Sequence, residues 1–195
     1  MVLDPLIVCG PSGVGKGTII SKFMDELGGK EQFQFTVSHT TRSPRPGEEN
    51  GIHYHFVDMD EMKEAIENGQ FLEHAQVHGN YYGTSWSSLR DVQENKKRCL
   101  LDIDVQGVKN IKRMESDVLK PKYVFISPPS MEVLERRLVG RGTESAESIA
   151  RRTANAQSEV AYGTEEDNFD AVVINRDLDE ACAEFVRVLK ELYDL

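Results

Sequence analysis

The chain has 195 residues, of which 39% are hydrophobic and 29% charged, a balance typical of a globular domain. With 33 acidic and 23 basic residues the formal net charge is −10, which argues against general binding to the nucleic-acid backbone. The sequence has no apolar stretch of membrane-spanning length and no basic N-terminal region followed by an apolar one. Cys9, Cys99 and Cys182 are odd in number and far apart, so we expect buried free thiols and a cytoplasmic location.

Five short apolar runs predict buried strands of a mostly parallel sheet, because strands covered on both faces lack polar alternation. The runs are 3–9, 33–38, 99–103, 123–126 and 171–174. Helical patterns follow most of them, at 18–27, 105–114, 131–139 and 179–193, with Ser130 and Asp177 as expected N-caps. The alternation predicts a doubly wound α/β fold, and the length predicts one domain.

Two segments interrupt this alternation. The first segment has strand patterns at 52–57, 71–77 and 81–84 and a short helical pattern at 61–67. Together these predict an inserted α/β subdomain with its own sheet. Residues 134–161 are helical, rich in arginine and broken at 140–142, a pattern typical of a lid.

A glycine-rich loop joins the first strand to the first helix. Gly10, Gly13 and Gly15 allow a tight turn whose N–H groups face inward at the start of a helix, and Lys16 adds a cation. This arrangement predicts a polyphosphate site. Gly17 stands where the common pattern has Ser or Thr, so we expect Mg²⁺ to be held largely by phosphates, water and an acidic residue elsewhere.

Histidines at 53, 55, 74 and 78 raise the question of a zinc site, with His53 and His55 expected on one face of a strand. No cysteine lies nearby, so we do not favour zinc.

Several segments together resemble the guanylate kinase family: GPSGVGK (10–16), VSHTTRSPRPGEENG (37–51), YHF (54–56), GNYYG (79–83), LDIDVQG (101–107), SPPS (127–130), LVGRGT (138–143) and VIN (173–175). Members transfer a phosphoryl group from ATP to GMP. The resemblance implies a P-loop nucleoside monophosphate kinase-like core with a parallel sheet, a GMP-binding subdomain at about 36–85 and a helical lid at about 131–164. The core is then 1–35, 86–130 and 165–195. The Lys16-Gly-Thr18 version of the loop is instead similar to adenylate kinases.

The resemblance also implies roles for individual residues. For ATP they are Gly10, Ser12, Gly13, Val14, Gly15, Lys16, Gly17, Thr18, Arg137, Arg141 and Asn175. For GMP they are Ser38, Arg42, Arg45, Tyr54, Glu73, Tyr82, Gly83, Thr84 and Asp104, with the arginines and tyrosines on the phosphate and the two acids on guanine. The catalytic cations are Lys16, Arg42, Arg141 and Arg152. Thr18 and Asp102 are expected to contact Mg²⁺ through water.

Three other functions remain open from the residues. A GTPase would use Asp104–Gly107 as a switch motif, but its guanine motif is matched only by 95–98, which ends in the wrong charge. An adenylate-type kinase would share the loop and have no use for Glu73 and Asp104 at the base. A non-catalytic scaffold would not need Lys16. We expect GMP and dGMP as substrates, Mg²⁺ with ATP, no nucleic-acid or membrane partner, and a monomer or weak homodimer.

Overall fold

The computed structural model describes residues 3–77, 79–114, 119–140 and 146–195, with 146–151 described by their helical backbone alone. The chain divides into two compact units. The first comprises Gln32–Lys120 with the start of the chain up to Pro5, and the second comprises Leu6–Glu31 and Pro121–Leu195. No helix in the described ranges has both the length and the apolar character that a membrane crossing requires.

The strands are β1 (Leu6–Cys9), β2 (Phe33–Phe35), β3 (His39–Thr40), β4 (His55–Phe56), β5 (Phe71–Val77), β6 (Asn80–Ser85), β7 (Arg98–Asp102), β8 (Lys122–Ser127) and β9 (Ala171–Ile174). The helices are α1 (Lys16–Glu26), α2 (Gly29–Gln32), α3 (Met59–Glu67), α4 (Trp86–Glu94), α5 (Val105–Arg113), α6 (Met131–Val139), α7 (Ala146–Thr164) and α8 (Leu178–Tyr193).

The second unit is built on three parallel strands in the order β1-β8-β9. All four residues of β1 are buried, because both faces of the strand are covered. Helix α8 packs on α1 through an edge-to-face contact of Phe23 and Phe185, with ring centroids 5.4 Å apart. The expected N-caps are confirmed: Ser130 accepts from Val133 N–H, and Asp177 accepts from two amides of the first turn of α8.

The first unit holds the parallel pair β2-β7 and a second, four-stranded sheet in the order β4-β3-β6-β5. Strands β5 and β6 form an antiparallel hairpin, with a register shift between Phe71 and Glu73. Helix α5 packs against β5, where Asn110 Nδ2 donates to the His74 carbonyl at 2.9 Å. The parallel α/β class and the separate sheet of the inserted segment are therefore confirmed.

The structure corrects several predicted bounds. The strand expected at 52–57 is reduced to β4, because residues 51–53 form a turn. The predicted common face of His53 and His55 is therefore wrong, and His53 Nδ1 instead accepts the Glu49 N–H at 3.0 Å. Strand β9 is not buried on both faces, since Val172 and Ile174 are exposed along one side of it. The expected lid break at 140–142 extends into 141–145, which lies outside the described residues.

Candidate active site

The glycine-rich loop of the second unit ends in a left-handed residue. Gly15 has φ = +101° and is the N-cap of α1, where its carbonyl accepts the Ile19 N–H at 3.1 Å. No side chain caps this helix end, so the first-turn amides face the loop. Lys16 Nζ donates to the Gly10 carbonyl at 2.6 Å, which holds the lysine over the same loop. The loop backbone and Lys16 thus have a geometry that suits the phosphate site predicted from the sequence.

Two side chains donate hydrogen bonds to the Val14 carbonyl of this loop. The buried Asn175 donates to it through Nδ2 at 2.7 Å, and Arg137 Nη1 donates to it at 3.3 Å. Arg137 Nη2 also donates to the Asn175 carbonyl at 3.0 Å. A Cβ on Gly15 would lie 2.6 Å from Asn175 Nδ2, so only glycine permits this approach. Arg137 and Asn175, expected as ATP contacts, therefore also hold the backbone of the loop.

The structure describes some of the other residues predicted to bind ATP and leaves one of them out. Arg152 on α7 donates to the Ser12 hydroxyl at 3.1 Å, which places one expected lid cation against the loop. Arg141 lies outside the described residues. Thr18 is exposed on α1, and an ideal Cβ on Gly17 meets no atom within 4 Å. A larger side chain would therefore fit at position 17, so steric crowding does not require glycine there.

A buried polar cluster occupies the small sheet of the first unit. The Ser38 and Thr84 hydroxyls are 3.2 Å apart, and Glu73 lies opposite Thr84 across the β5-β6 ladder. These three residues are 8%, 0% and 4% exposed. Burial raises the pKa of Glu73 to about 7, although hydrogen bonds from the Thr84 side chain and backbone favour the carboxylate. The cluster therefore contains a hydrogen-bond acceptor shielded from solvent, the Glu73 carboxylate, whose charge changes near neutral pH.

Helix α5 packs next to the Glu73 carboxylate. Asp104 caps the helix by accepting the Gly107 N–H at 2.8 Å, and its negative charge contributes to the raised pKa of Glu73. A Cβ on Gly107 would lie 2.6 Å from Glu73 Oε2, so the carboxylate reaches the helix only because residue 107 is glycine. Gly83, pairing with His74, is similarly tight, with 2.8 Å between its ideal Cβ and the Glu73 carbonyl oxygen. The predicted guanine-reading residues are thus brought together in one unit.

The Arg42 guanidinium lies over two aromatic rings of the same unit, 5.4 Å from the Tyr54 centroid and 5.8 Å from that of Phe56. It forms a two-bond ion pair with Glu48, both N–O distances being 2.9 Å. Tyr82 also interacts with this guanidinium and lies 6.0 Å from the Tyr54 ring, centroid to centroid. Arg42, Tyr54 and Tyr82, all predicted for one phosphate, are therefore neighbours.

Two predicted site residues remain: Arg45, expected at the GMP phosphate, and Asp102, expected near Mg²⁺. Arg45 is exposed, and its backbone N–H donates to Glu48 at 2.7 Å. Asp102 ends β7 within the first unit and lies near Tyr54. Burial, and then the charge of Asp102, raise the pKa of Tyr54 to about 12, so its hydroxyl stays a donor at neutral pH.

Sequence reasoning missed three participants: Glu48, Phe56 and Gly107. Glu48 has a recognisable signal, because Pro46-Gly47 is a turn dipeptide that folds the chain back on itself. Gly107 has none, since its role depends on a strand more than 30 residues earlier in the chain. Within the described ranges, no group of three or more His, Cys, Asp or Glu side chains has the geometry of a metal site. Cys9, Cys99 and Cys182 are buried thiols that form no disulfide, as expected.

Comparison with known proteins identifies close relatives. A family model described as guanylate kinase matches residues 3–192. "Guanylate kinase" of Homo sapiens is 46% identical over 187 residues, which are 96% of this chain and 92% of the human protein. "Guanylate kinase 1" of Oryza sativa is 46% identical over 97% of this chain. The chain spans only about half of the matched plant proteins, 48% for rice and 44% for Arabidopsis thaliana.

A solved structure gives the same answer for the fold. The crystal structure of guanylate kinase from Anaplasma phagocytophilum matches with a TM-score of 0.71 and 29% identity. The match covers 98% of this chain and 86% of that one.

Proposed function

Because the chain belongs to the guanylate kinase family, we propose that it transfers the γ-phosphoryl group of ATP to GMP or dGMP, giving ADP and the diphosphate. The observation that carries this proposal is the buried Glu73–Thr84–Ser38 cluster. Its place in metabolism is then the recycling of guanine nucleotides.

Guanine differs from adenine in offering two adjacent donors, the N1–H and the N2 amino group. The ionised Glu73 carboxylate accepts both, while the Ser38 and Thr84 hydroxyls serve the rest of the base edge and Asp104 adds a further acceptor. Because Glu73 is 4% exposed, an adenine base would leave its acceptors unpaired away from water. Sites built on such hydrogen bonds reject analogues by about 10⁴-fold or more.

The phosphate of GMP binds at the aromatic-backed Arg42, with Tyr54 and Tyr82 as neutral donors and Arg45 as a second cation. Tyr82 and Thr84 are two residues apart on β6 and so face the same side of the sheet, which lets one nucleotide contact both. A phosphate monoester dianion is already a competent nucleophile, so the site requires no general base.

ATP binds at the glycine-rich loop, where amides of the α1 N-terminus and Lys16 hold its phosphates. Arg141 and Arg152 supply positive charge as the phosphoryl group passes between oxygens. The domain assignment, with a GMP subdomain at about 36–85 and a lid at about 131–164, belongs to this proposal.

Magnesium, bound together with ATP, would neutralise phosphate charge. The Thr18 hydroxyl and the Asp102 carboxylate are hard oxygen donors that suit this ion through water. Since Gly17 lacks a hydroxyl, phosphates and water would be the main ligands. The three buried thiols, none of them in a disulfide, support a reducing, cytoplasmic location.

The test is a coupled ADP-release assay with ATP and Mg²⁺ against GMP, dGMP, AMP, CMP and UMP, with ATP alone as the hydrolysis control. We expect turnover confined to guanine nucleotides and at least 100-fold slower turnover in Lys16→Met. Lys22→Met is the matched control, because Lys22 lies on α1 and pairs with the exposed Asp179. Turnover of AMP would favour an adenylate-type kinase, and GMP binding without turnover would favour a scaffold.

A further inference from the structure

A tight turn folds the chain back behind Arg42. The Glu48 N–H donates to the Arg45 carbonyl at 3.0 Å, closing a four-residue turn with Pro46 and Gly47 at its centre. Gly47 has φ = +85°, the conformation that a type II turn requires at its third residue. The turn brings the Glu48 carboxylate back towards the start of the loop.

The Glu48 carboxylate accepts three hydrogen bonds there. Arg42 Nη1 and Nη2 donate to it at 2.9 Å each, and the Arg45 N–H donates to it at 2.7 Å. The Arg42 and Glu48 side chains are only 15% and 17% exposed, so both lie against neighbouring residues. The hydrogen bonds from Arg42 lower the pKa of Glu48, which is therefore ionised at neutral pH.

These contacts fix the direction in which the guanidinium points. Arg42 Nη1 also donates to the Ser43 carbonyl at 2.7 Å, and the Arg42 Cζ atom lies over the rings of Tyr54 and Phe56. A guanidinium has five N–H donors. Three are used by Glu48 and Ser43, which leaves the Nε–H and one Nη2 proton, on one edge of the group, for a ligand or for Tyr82.

We propose that Glu48 is a positioning residue that locks Arg42 and the 42–48 loop in the geometry that binds the phosphate of the nucleoside monophosphate. This inference rests on the proposed function and adds a residue to it. Arg42 donates through its remaining edge, and Glu48 touches no substrate. Its contribution is preorganisation, because an unrestrained arginine loses side-chain entropy when it binds.

Two effects of Glu48 on an anion oppose each other. Its negative charge repels phosphate, an effect of about fivefold for unit charges about 4 Å apart in water. Its three hydrogen bonds hold the cation in place, and a hydrogen bond to a charged group contributes more than 10-fold to an equilibrium. The second effect is the larger, so removal of the charge weakens phosphate binding.

The test compares Glu48→Gln with Glu49→Gln, a matched control because the hydrogen bonds of Glu49 to other described residues all involve its backbone N–H and carbonyl. Glutamine keeps the length of the side chain and removes its charge and one carboxylate acceptor. We expect Glu48→Gln to raise KM for GMP about 10-fold, with kcat and KM for ATP within about twofold of the parent. Glu49→Gln should match the parent throughout. If Glu48→Gln does not fold, Glu48→Asp replaces it, with a smaller rise in KM.

A double-mutant cycle with Arg42→Lys separates positioning from general stability. Lysine cannot form the two-bond pair, so Glu48→Gln should change KM for GMP less than twofold in that background. An unchanged or lower KM in Glu48→Gln, or an undiminished effect in the Arg42→Lys background, would overturn the inference. A parent that does not phosphorylate GMP would instead contradict the proposed function. Calorimetric GMP binding by the same variants would then still decide the role of Glu48.

Discussion

If Glu73 binds guanine as proposed, its buried carboxylate should make GMP binding dependent on pH. In the free protein burial raises its pKa to about 7, whereas recognition of guanine requires the ionised form to accept two N–H groups. Protonation of Glu73 therefore competes with GMP. Binding should weaken as the pH falls below 7 and become nearly independent of pH above 8.

The size of the effect follows from linkage. With a pKa of about 7 in the free protein and a much lower one in the complex, the apparent Kd is multiplied by about 11 at pH 6 and by about 1.1 at pH 8. The predicted weakening is about 10-fold between these pH values. The GMP phosphate has its own pKa near 6 and adds about another factor of two. At pH 7 half of the Glu73 carboxyl groups are protonated, so binding releases about 0.5 proton from this residue.

Isothermal titration calorimetry of GMP at pH 6, 7 and 8, without ATP, measures both quantities. Two buffers with different ionisation enthalpies at each pH give the number of protons released. Glu73→Gln is the matched control: it binds GMP more weakly but should retain only the twofold phosphate contribution and release about 0.1 proton at pH 7. Equal proton release by parent and variant, or a parent affinity that does not change between pH 6 and 8, would refute the coupling of Glu73 to guanine.

Other variants test the loop and the small sheet. Gly17→Ala should stabilise α1 by about 0.5–1 kcal/mol and raise Tm by about 1–4 °C, because its Cβ meets no atom within 4 Å. Gly15→Ala should lower Tm instead, since its Cβ would approach Asn175 Nδ2 to 2.6 Å at φ = +101°; equal melting of the two variants would contradict the loop geometry. Burial, and then the nearby His55, lower the pKa of His39 to about 4. Urea unfolding should therefore show stability lost as pH falls from about 6.5 to about 4, and His39→Gln should lack this component.

Features set by neighbouring residues could be read from the sequence. The parallel strands, the glycine-rich loop and the caps at Ser130 and Asp177 depend on apolar runs and on residues within one helical turn. The resemblance to a family added the residues of the two nucleotide sites, and the structure places Ser38, Glu73 and Thr84 together. Their roles remain predictions.

Contacts between residues far apart in the sequence, and the choice between strand and turn at 51–53, could be seen only in the tertiary structure. Only the packing of α5 on β5 shows that Gly107 leaves room for the Glu73 carboxylate. Burial there, with a smaller contribution from the charge of Asp104, raises the pKa of Glu73 to about 7. The alternating pattern at 52–57 predicted a full strand, yet a turn at 51–53 leaves two residues in β4. The sequence alone determined local conformation because its causes lie within a few residues, whereas burial and ion-pair partners such as that of Glu48 depend on which segments meet in space.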